Sequence, residues 1–412
     1  MMAIIFVLYM IIISLTIFTS CTFVLVLLKN RKTLFVDPEP RENPLVSICI
    51  PVWNKKDTVV DVIKNVLSLK YKNLEVIVVN DASTDGSLGK IKQFIKEKKP
   101  KNLKLINRKK NSGGFKGVPL NEGFKVAKGE IFGFIDADTF IEKEALKNIL
   151  GYFNNSGVGA VIPAIKVDKP KKWLERLQRI EYILTMLSRK VLTFLNSLFI
   201  APGCAFFRKS VLEEIGGFDE KNKCEDLEIG LRVQKFGYDI QNTVNSFVYT
   251  VVPRKLKVLL RQRIRWNRGM IHNVRKYRDM FFEKSNLGVF VLPFVFIGTV
   301  FTVFLYGFLL AFSIYDAAHN FWIFMNGYIL SGYDLYLLQL DFMFEPNIVI
   351  LFSIFLMIFF SVNVYFSNKI GEKRLGSLVF EVILFLIIYA PLLSIGWVIT
   401  MIEELTNKEE EW

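Results

Sequence analysis

The chain has 412 residues, 52% of them hydrophobic, and 53 Lys and Arg against 39 Asp and Glu give a formal net charge of +14. Its two histidines, His272 and His319, and four cysteines, at 21, 49, 204 and 224, show no metal-type spacing, which argues against a His-based metal site and a Ser-His-Asp hydrolase. The positive excess lacks the motif or interleaved aromatics of a nucleic-acid module, so no nucleic acid is expected; attraction to anionic lipid head groups and to a pyrophosphate explains it.

Residues 1–28 carry no charge, and residues 287–315, 348–366 and 378–401 are apolar runs. Each is long enough to cross a hydrocarbon core of about 30 Å, so a multi-pass cell-membrane protein is expected. The first run has no basic flank before it and no small-residue cleavage site, and reads as a retained anchor. Residues 29–43 form a polar linker with Pro38 and Pro40. All but four of the Lys and Arg lie between Lys29 and Asn286, and residues 316–347 contain none. The positive-inside rule therefore places the central region in the cytoplasm, 316–347 in an outside loop, and both termini outside.

Within the central region, buried strands are predicted at 46–52, 74–81, 103–107, 131–138 and 158–167, with helices at 58–69, 87–98 and 118–128 between them. Such alternation predicts parallel strands covered by helices, an α/β Rossmann-like domain. Ligands of open sheets bind at the carboxyl ends of the strands, where Trp53-Asn54, Asn80-Asp81 and Asp136/Asp138 cluster. Residues 173–194 and 254–282 are basic and amphipathic; they suit either the membrane interface or an ordinary surface.

Several residues can carry chemistry. Asp136 and Asp138 would repel unless a hard divalent cation joins them, or unless they merely cap the next helix. Gly113-Gly114-Phe115-Lys116 precedes a helix and can bring Lys116 to a phosphate. Asp226, in Cys224-Glu225-Asp226, is a carboxylate suited to general base, although acidic residues also favour a first helical turn. Gln262, Arg265 and Trp266 fall at i, i+3 and i+4, so an amide, a guanidinium and an indole share one helical face.

These motifs, in this order, resemble the membrane-bound processive glycosyltransferases of family 2, which include cellulose, hyaluronan, chitin and poly-N-acetylglucosamine synthases. The resemblance covers residues 44–268 by motif and the remaining chain by topology. It implies a GT-A fold, a UDP-sugar donor, an inverting displacement and Mg2+ or Mn2+. Asp81 would accept a hydrogen bond from the uracil imide with Trp53 stacked on the ring, Lys116 and Asp136 would serve the donor, and Asp138 would be the metal ligand. Asp226 would be the catalytic base, Gln262 and Arg265 would hold the leaving diphosphate, and Trp266 would offer a platform to the acceptor sugar. Gly203 and Cys204, in Ala201-Pro202-Gly203-Cys204-Ala205-Phe206, would position the acceptor end. Trp53, Lys55 and Cys224 stand where the family usually has Tyr, Glu and Thr.

The expected division is an anchor at 1–28, a linker at 29–43, a GT-A domain at 44–252, an amphipathic interface helix at 253–286 and a membrane region at 287–412. The expected function is elongation of a β-linked extracellular polysaccharide. The alternatives are single-sugar transfer to a lipid, ceramide glucosyltransferase-like or onto a polyprenyl phosphate, and a non-catalytic membrane scaffold. Besides membrane lipids, a second copy or an accessory subunit is an expected partner, because four spans are few to enclose a polymer channel.

Overall fold

The computed structural model describes residues 2–331, 359–361, 363–366 and 378–406. Helix α1 (Met2–Lys29) leads into β1 (Val46–Val52), α2 (Val59–Leu67), β2 (Leu74–Asn80), α3 (Ser87–Lys98), β3 (Leu103–Asn107), α4 (Gly117–Val126) and β4 (Ile131–Ile135). There follow β5 (Thr139–Ile141), α5 (Ala145–Tyr152), β6 (Val158–Val167), α6 (Trp173–Phe194), β7 (Cys204–Arg208), α7 (Lys209–Glu214), α8 (Glu225–Lys235), β8 (Asp239–Thr250) and α9 (Leu256–Lys276). A π-helical turn, Leu287–Val291, opens α10 (Leu292–Ser331). The last helical stretch is α11 (Leu378–Leu384), a second π-helical turn (Phe385–Tyr389) and α12 (Ala390–Leu405).

The eight strands form one sheet in the order β3-β2-β1-β4-β7-β6-β8-β5. Its first four strands are parallel, as expected from apolar runs buried on both faces. The other half departs from expectation: β7 inserts antiparallel between β4 and β6, and β5 pairs antiparallel with β8. The sheet is therefore mixed. The strand predicted over 131–138 ends at Ile135, because the chain turns at Asp136, whose carbonyl accepts from Thr139 N at 2.9 Å. One core, with Ile48, Ile50, Ile63 and Leu146, fills one face of the sheet, and a second, with Cys49, Ile77, Phe134 and Ile229, fills the other.

Helix α6 is not laid open to lipid by its apolar stripe. Leu177, Ile180, Ile183 and Met186 are buried with Leu259, Phe385 and Tyr389, and each such side chain contributes about 1.5–3 kcal/mol by leaving water. The stripe is the seam between the sheet domain and the C-terminal helix. Residues 29–43 are likewise no loose linker: Asp37 accepts from Tyr152 Oη at 2.7 Å and from the Val244 and Asn245 amides at 3.0 and 2.8 Å, and Leu34 is buried against α6.

One membrane expectation changes. Helix α10 runs on to Ser331, so residues 316–331 are helical rather than a loop; residues 332–347 and the first part of the apolar run at 348–366 lie outside the described residues. The stretch Glu381–Leu405 is the one described helix long and apolar enough to cross a membrane; Ser14–Lys29 and Leu287–Phe301 are shorter apolar helices. Both ends of that stretch nevertheless touch the sheet domain's own helices. Glu381 pairs with Arg179 of α6 at 3.0 Å, and Glu404 pairs with Arg268 and Arg275 of α9 at 3.0 and 3.1 Å. A helix that crossed about 30 Å of hydrocarbon would carry one end away from the domain. Its length and composition remain those of the span expected at 378–401, while its end contacts are those of a helix packed on the domain.

Candidate active site

Strand register assembles the first half of the site. Val52 lies opposite Asn80 and Asn80 opposite Asn107, while Cys49 pairs with Phe134. The residues just past these strand ends, Trp53, Asp81, Arg108 and Asp136, therefore line one rim of the sheet. The loops after β1 and β2 are stapled together: Asn54 Oδ1 accepts from Thr84 N at 2.9 Å, Asp85 Oδ2 from Lys56 N at 2.9 Å, and Ser87 Oγ from Lys55 N at 2.9 Å. Trp53 is 49% exposed, an indole face open to a flat ring.

Asp81 is buried and its carboxylate is already well supplied with donors. Arg108 pairs with it, Ser112 donates its amide at 3.1 Å and its hydroxyl at 2.5 Å, and Asn111 donates at 3.1 Å. A uracil imide would have to share or displace one of these. The sequence reading missed Arg108, Asn111 and Ser112, since no motif marks them.

The paired carboxylates at the end of β4 each face a lysine. Lys55 Nζ lies 2.6 Å from Asp138 Oδ2, and Lys116 Nζ contacts Asp136 and lies 3.3 Å from Glu225 Oε1. Lys116 was expected to meet a phosphate; here its ammonium bridges Asp136 to Glu225 and sits 4.6 Å over the Phe134 ring. Burial opposes the charge on Lys116, but Asp136, Glu225 and Asp226 outweigh it and raise the pKa. Burial, and then the neighbouring Asp138, push Asp136 upward against the pull of Lys116. Glu225 is raised by burial and by Asp226.

No group of three or more His, Cys, Asp or Glu that could enclose a metal exists among the described residues. Asp136 and Asp138 supply only hard carboxylate oxygens, the donor set of a Mg2+ or Mn2+ site in which substrate phosphates complete the shell. Lys55, 42% exposed, is the cation that a metal at Asp138 would displace. The residues fit such an ion.

The second half of the site comes from α8, α9 and the turn before β7. Asp226 is part-exposed in the first turn of α8, its Oδ1 accepting from Leu227 N at 2.8 Å, while its carbonyl accepts from Ala201 N at 2.9 Å. The acceptor-type turn and the candidate base are thus tied together. Gly203, at φ 57°, accepts at its carbonyl from Asp136 N at 3.0 Å. Cys204 does not face the site: alternation along β7 buries its thiol in the core, and burial followed by Asp136 raises its pKa far above the ordinary thiol value. Any contact from this turn comes from Gly203 and the backbone.

Helix α9 stands behind Cys224-Glu225-Asp226. A Cβ at Gly269 would lie 2.0 Å from Cys224 Sγ, so only glycine permits this approach. Asn222 Oδ1 accepts from Cys224 N at 2.9 Å, and Asn222 Nδ2 donates to Asn273 Oδ1 at 2.7 Å. Arg265 lines a cavity of about 810 Å3 with Phe115, Cys224, Arg268 and Lys276. Trp266, half-buried, lies under the guanidinium of Arg263. Gln262 is half-buried one turn before it. A further cation escaped the sequence reading. Arg189 of α6 has a buried Nη1 with no hydrogen-bond partner among the described residues, and burial works against its charge while Tyr182, Asp226 and Glu181 support it.

The mixed sheet with acidic residues at its parallel carboxyl rim is a GT-A-like α/β fold. Residues 47–216 match the family model described as glycosyl transferase family 2, and the chain carries a glycosyltransferase domain of that family. It is 33% identical over 277 residues to a probable glycosyltransferase, YdaM, of Bacillus subtilis, covering 65% of this chain and 66% of that protein. It is 30% identical over 244 residues to a poly-β-1,6-N-acetyl-D-glucosamine synthase of Staphylococcus epidermidis, covering 58% of each. The chain therefore spans somewhat more than half to about two thirds of the curated relatives it matches. A mannosyltransferase of Pyrobaculum calidifontis, solved with GDP-mannose and Mn2+, shares the fold over 98% of this chain and 100% of that one, with a TM-score of 0.62 at 19% identity.

Proposed function

We propose that the protein transfers sugar from a UDP-sugar to the end of a growing β-linked extracellular polysaccharide, with inversion at the anomeric carbon. The observation that carries this reading is Asp226, a part-exposed carboxylate tied through its own backbone to the turn at Ala201. The acceptor hydroxyl attacks the anomeric carbon and its proton passes to Asp226, while the bond from that carbon to the diphosphate oxygen breaks. Arg265 stabilises the charge left on the diphosphate, Gln262 orients it, and Trp266 stacks on the acceptor sugar. Trp53 and Asp81 receive the uridine. A divalent ion held by Asp138, with Asp136 behind it, would act as Lewis acid toward the diphosphate. The name of the staphylococcal relatives supports a polymeric product, and the Mn2+ of the fold neighbour supports the metal.

Residues 44–252 form the catalytic domain on this reading, 253–286 the helix that carries Gln262, Arg265 and Trp266, and 29–43 its docked approach. Residues 1–28, 287–315 and 348–366 hold it in the cell membrane with the catalytic domain in the cytoplasm, a reading that the placement of Lys and Arg supports. Purified full-length protein in native lipid, offered a panel of UDP-sugars together with GDP-mannose, tests the proposal. A long polymer accompanied by UDP release is the expected result. A single-sugar lipid product moves the assignment to lipid glycosylation, and release of GDP alone overturns the uridine reading.

A further inference from the structure

Arg263 lies two residues before Arg265 and makes a separate set of contacts. Its guanidinium donates to Glu181 Oε2 at 2.6 Å and to Tyr389 Oη at 3.1 Å, and Tyr389 donates to the same carboxylate at 2.7 Å. The three groups come from α9, α6 and the C-terminal helix, and Arg263 is only 5% exposed. Its guanidinium carbon also lies 4.2 Å from the centroid of the Trp266 ring. A cation against one face of an indole fixes the ring and leaves the other face for a ligand.

The same seam continues along α9. Asn267 Nδ2 reaches Thr400 Oγ1 at 3.3 Å, and Glu404 takes Arg268 and Arg275 at the far end, while Arg179 holds Glu381 at the near end. Helix α9, with Arg261, Arg263, Arg265, Arg268 and Arg275 in 21 residues, is too charged to enter hydrocarbon. A helix fastened to α6 at Glu381 and to α9 at Glu404 is held against the sheet domain at both ends and stays at its level. A buried ion pair adds little to stability compared with an apolar substitute, so its use here is geometric.

We propose that residues 378–405 are a clamp lying along the cytoplasmic side of the membrane against α9, and that Tyr389, acting through Glu181 and Arg263, is a positioning residue for Trp266. The positioning half rests on the reading of Trp266 as the acceptor platform. Loosening Arg263 would leave donor binding intact and let the indole tilt, so a polymer would be lost from the site between transfers.

The test uses full-length protein in native lipid with radiolabelled UDP-N-acetylglucosamine, or the UDP-sugar that the panel selects. Tyr389→Phe removes one hydroxyl from a charged network, and mean product length should fall about tenfold, with UDP affinity and unfolding temperature as in wild type. Arg263→Lys keeps a charge but not the stacked fork and should behave alike. Unchanged product length in Tyr389→Phe overturns the positioning role; so does a fall in unfolding temperature or UDP affinity that matches the lost activity. Trp266→Ala separates the two ideas. If it makes products of wild-type length, the platform reading itself has failed; if it shortens them and Tyr389→Phe does not, only the clamp's role has failed. For placement, Thr406→Cys in a Cys21→Ser background should react with an impermeant thiol reagent only after permeabilisation. Reaction in intact cells overturns the clamp.

Discussion

The rim at the carboxyl ends of β1, β2 and β4 and the wall formed by α6, α9 and the C-terminal helix are built in different ways. On the rim, functional side chains follow the last residue of a strand, and parallel register alone brings Trp53, Asp81 and Asp136 into line. On the wall, position depends on pairs between distant segments, such as Arg263 with Glu181 and Tyr389, 82 and 126 residues away in the chain. The first arrangement tolerates change in the helices around it, because ladder hydrogen bonds fix it. The second rests on a few side chains, each of which can be removed singly.

Mutations can sharpen this contrast. The largest effect is expected where the two halves meet: Asp226→Asn should keep nucleotide affinity while transfer falls by roughly 10²–10⁴-fold. Near-normal turnover in single-turnover assays would remove Asp226 as base. Next comes the rim, where Asp138→Ala should lower transfer by about 10²-fold, with donor affinity falling alongside it. Exhaustive chelation of wild type should reproduce this, and activity that survives chelation removes the metal from the reading.

Gly269→Ala tests the wall by bulk alone. The added methyl meets Cys224 Sγ, and overpacking of this kind costs about 1–3 kcal/mol. Denaturation should show that loss, and transfer should fall more than UDP binding because Asp226 moves with Cys224. If stability falls while kcat and product length hold, α9 is only a support.

The smallest effect concerns Lys190 of α6, which donates to Tyr152 Oη at 2.9 Å and to the Asn242 carbonyl at 3.1 Å. Burial, partly opposed by Asp37, lowers its pKa to about 8. Between that value and the ordinary 10.5 the unfolded chain holds a proton that the folded one has released, so stability should rise with pH across this window. The unfolding temperature of wild type should climb there relative to Lys190→Met; parallel profiles for the two proteins would count against the buried ammonium.

The rim was largely legible in the sequence and the wall was not. Strands 46–52, 103–107 and 158–167 stand where predicted, because a short apolar run bounded by polar residues reports a buried strand directly. No strand is predicted over Cys204–Arg208, and its antiparallel insertion between β4 and β6 depends on pairing that local pattern does not encode. Lys55 and Lys116 carry no mark that they will oppose Asp138 and Asp136. The apolar residues of 378–405 read the same whether lipid or α6 covers them; composition reports the need for cover and not its source.

The approach segment before β1 has a mechanical consequence. The sixteen residues between α1 and β1, as free chain, could stretch to roughly 55 Å, enough to let a tethered domain roam. Here Asp37 is fastened to β8 and α5, Arg41 N donates to Asn154 Oδ1, and Asn154 donates back to the Glu39 carbonyl. The leash is reeled in and knotted to the body it holds. Wherever α1 is seated, the height and tilt of the sheet follow, and on the proposed reading the reaction centre would keep a constant stand-off from the bilayer.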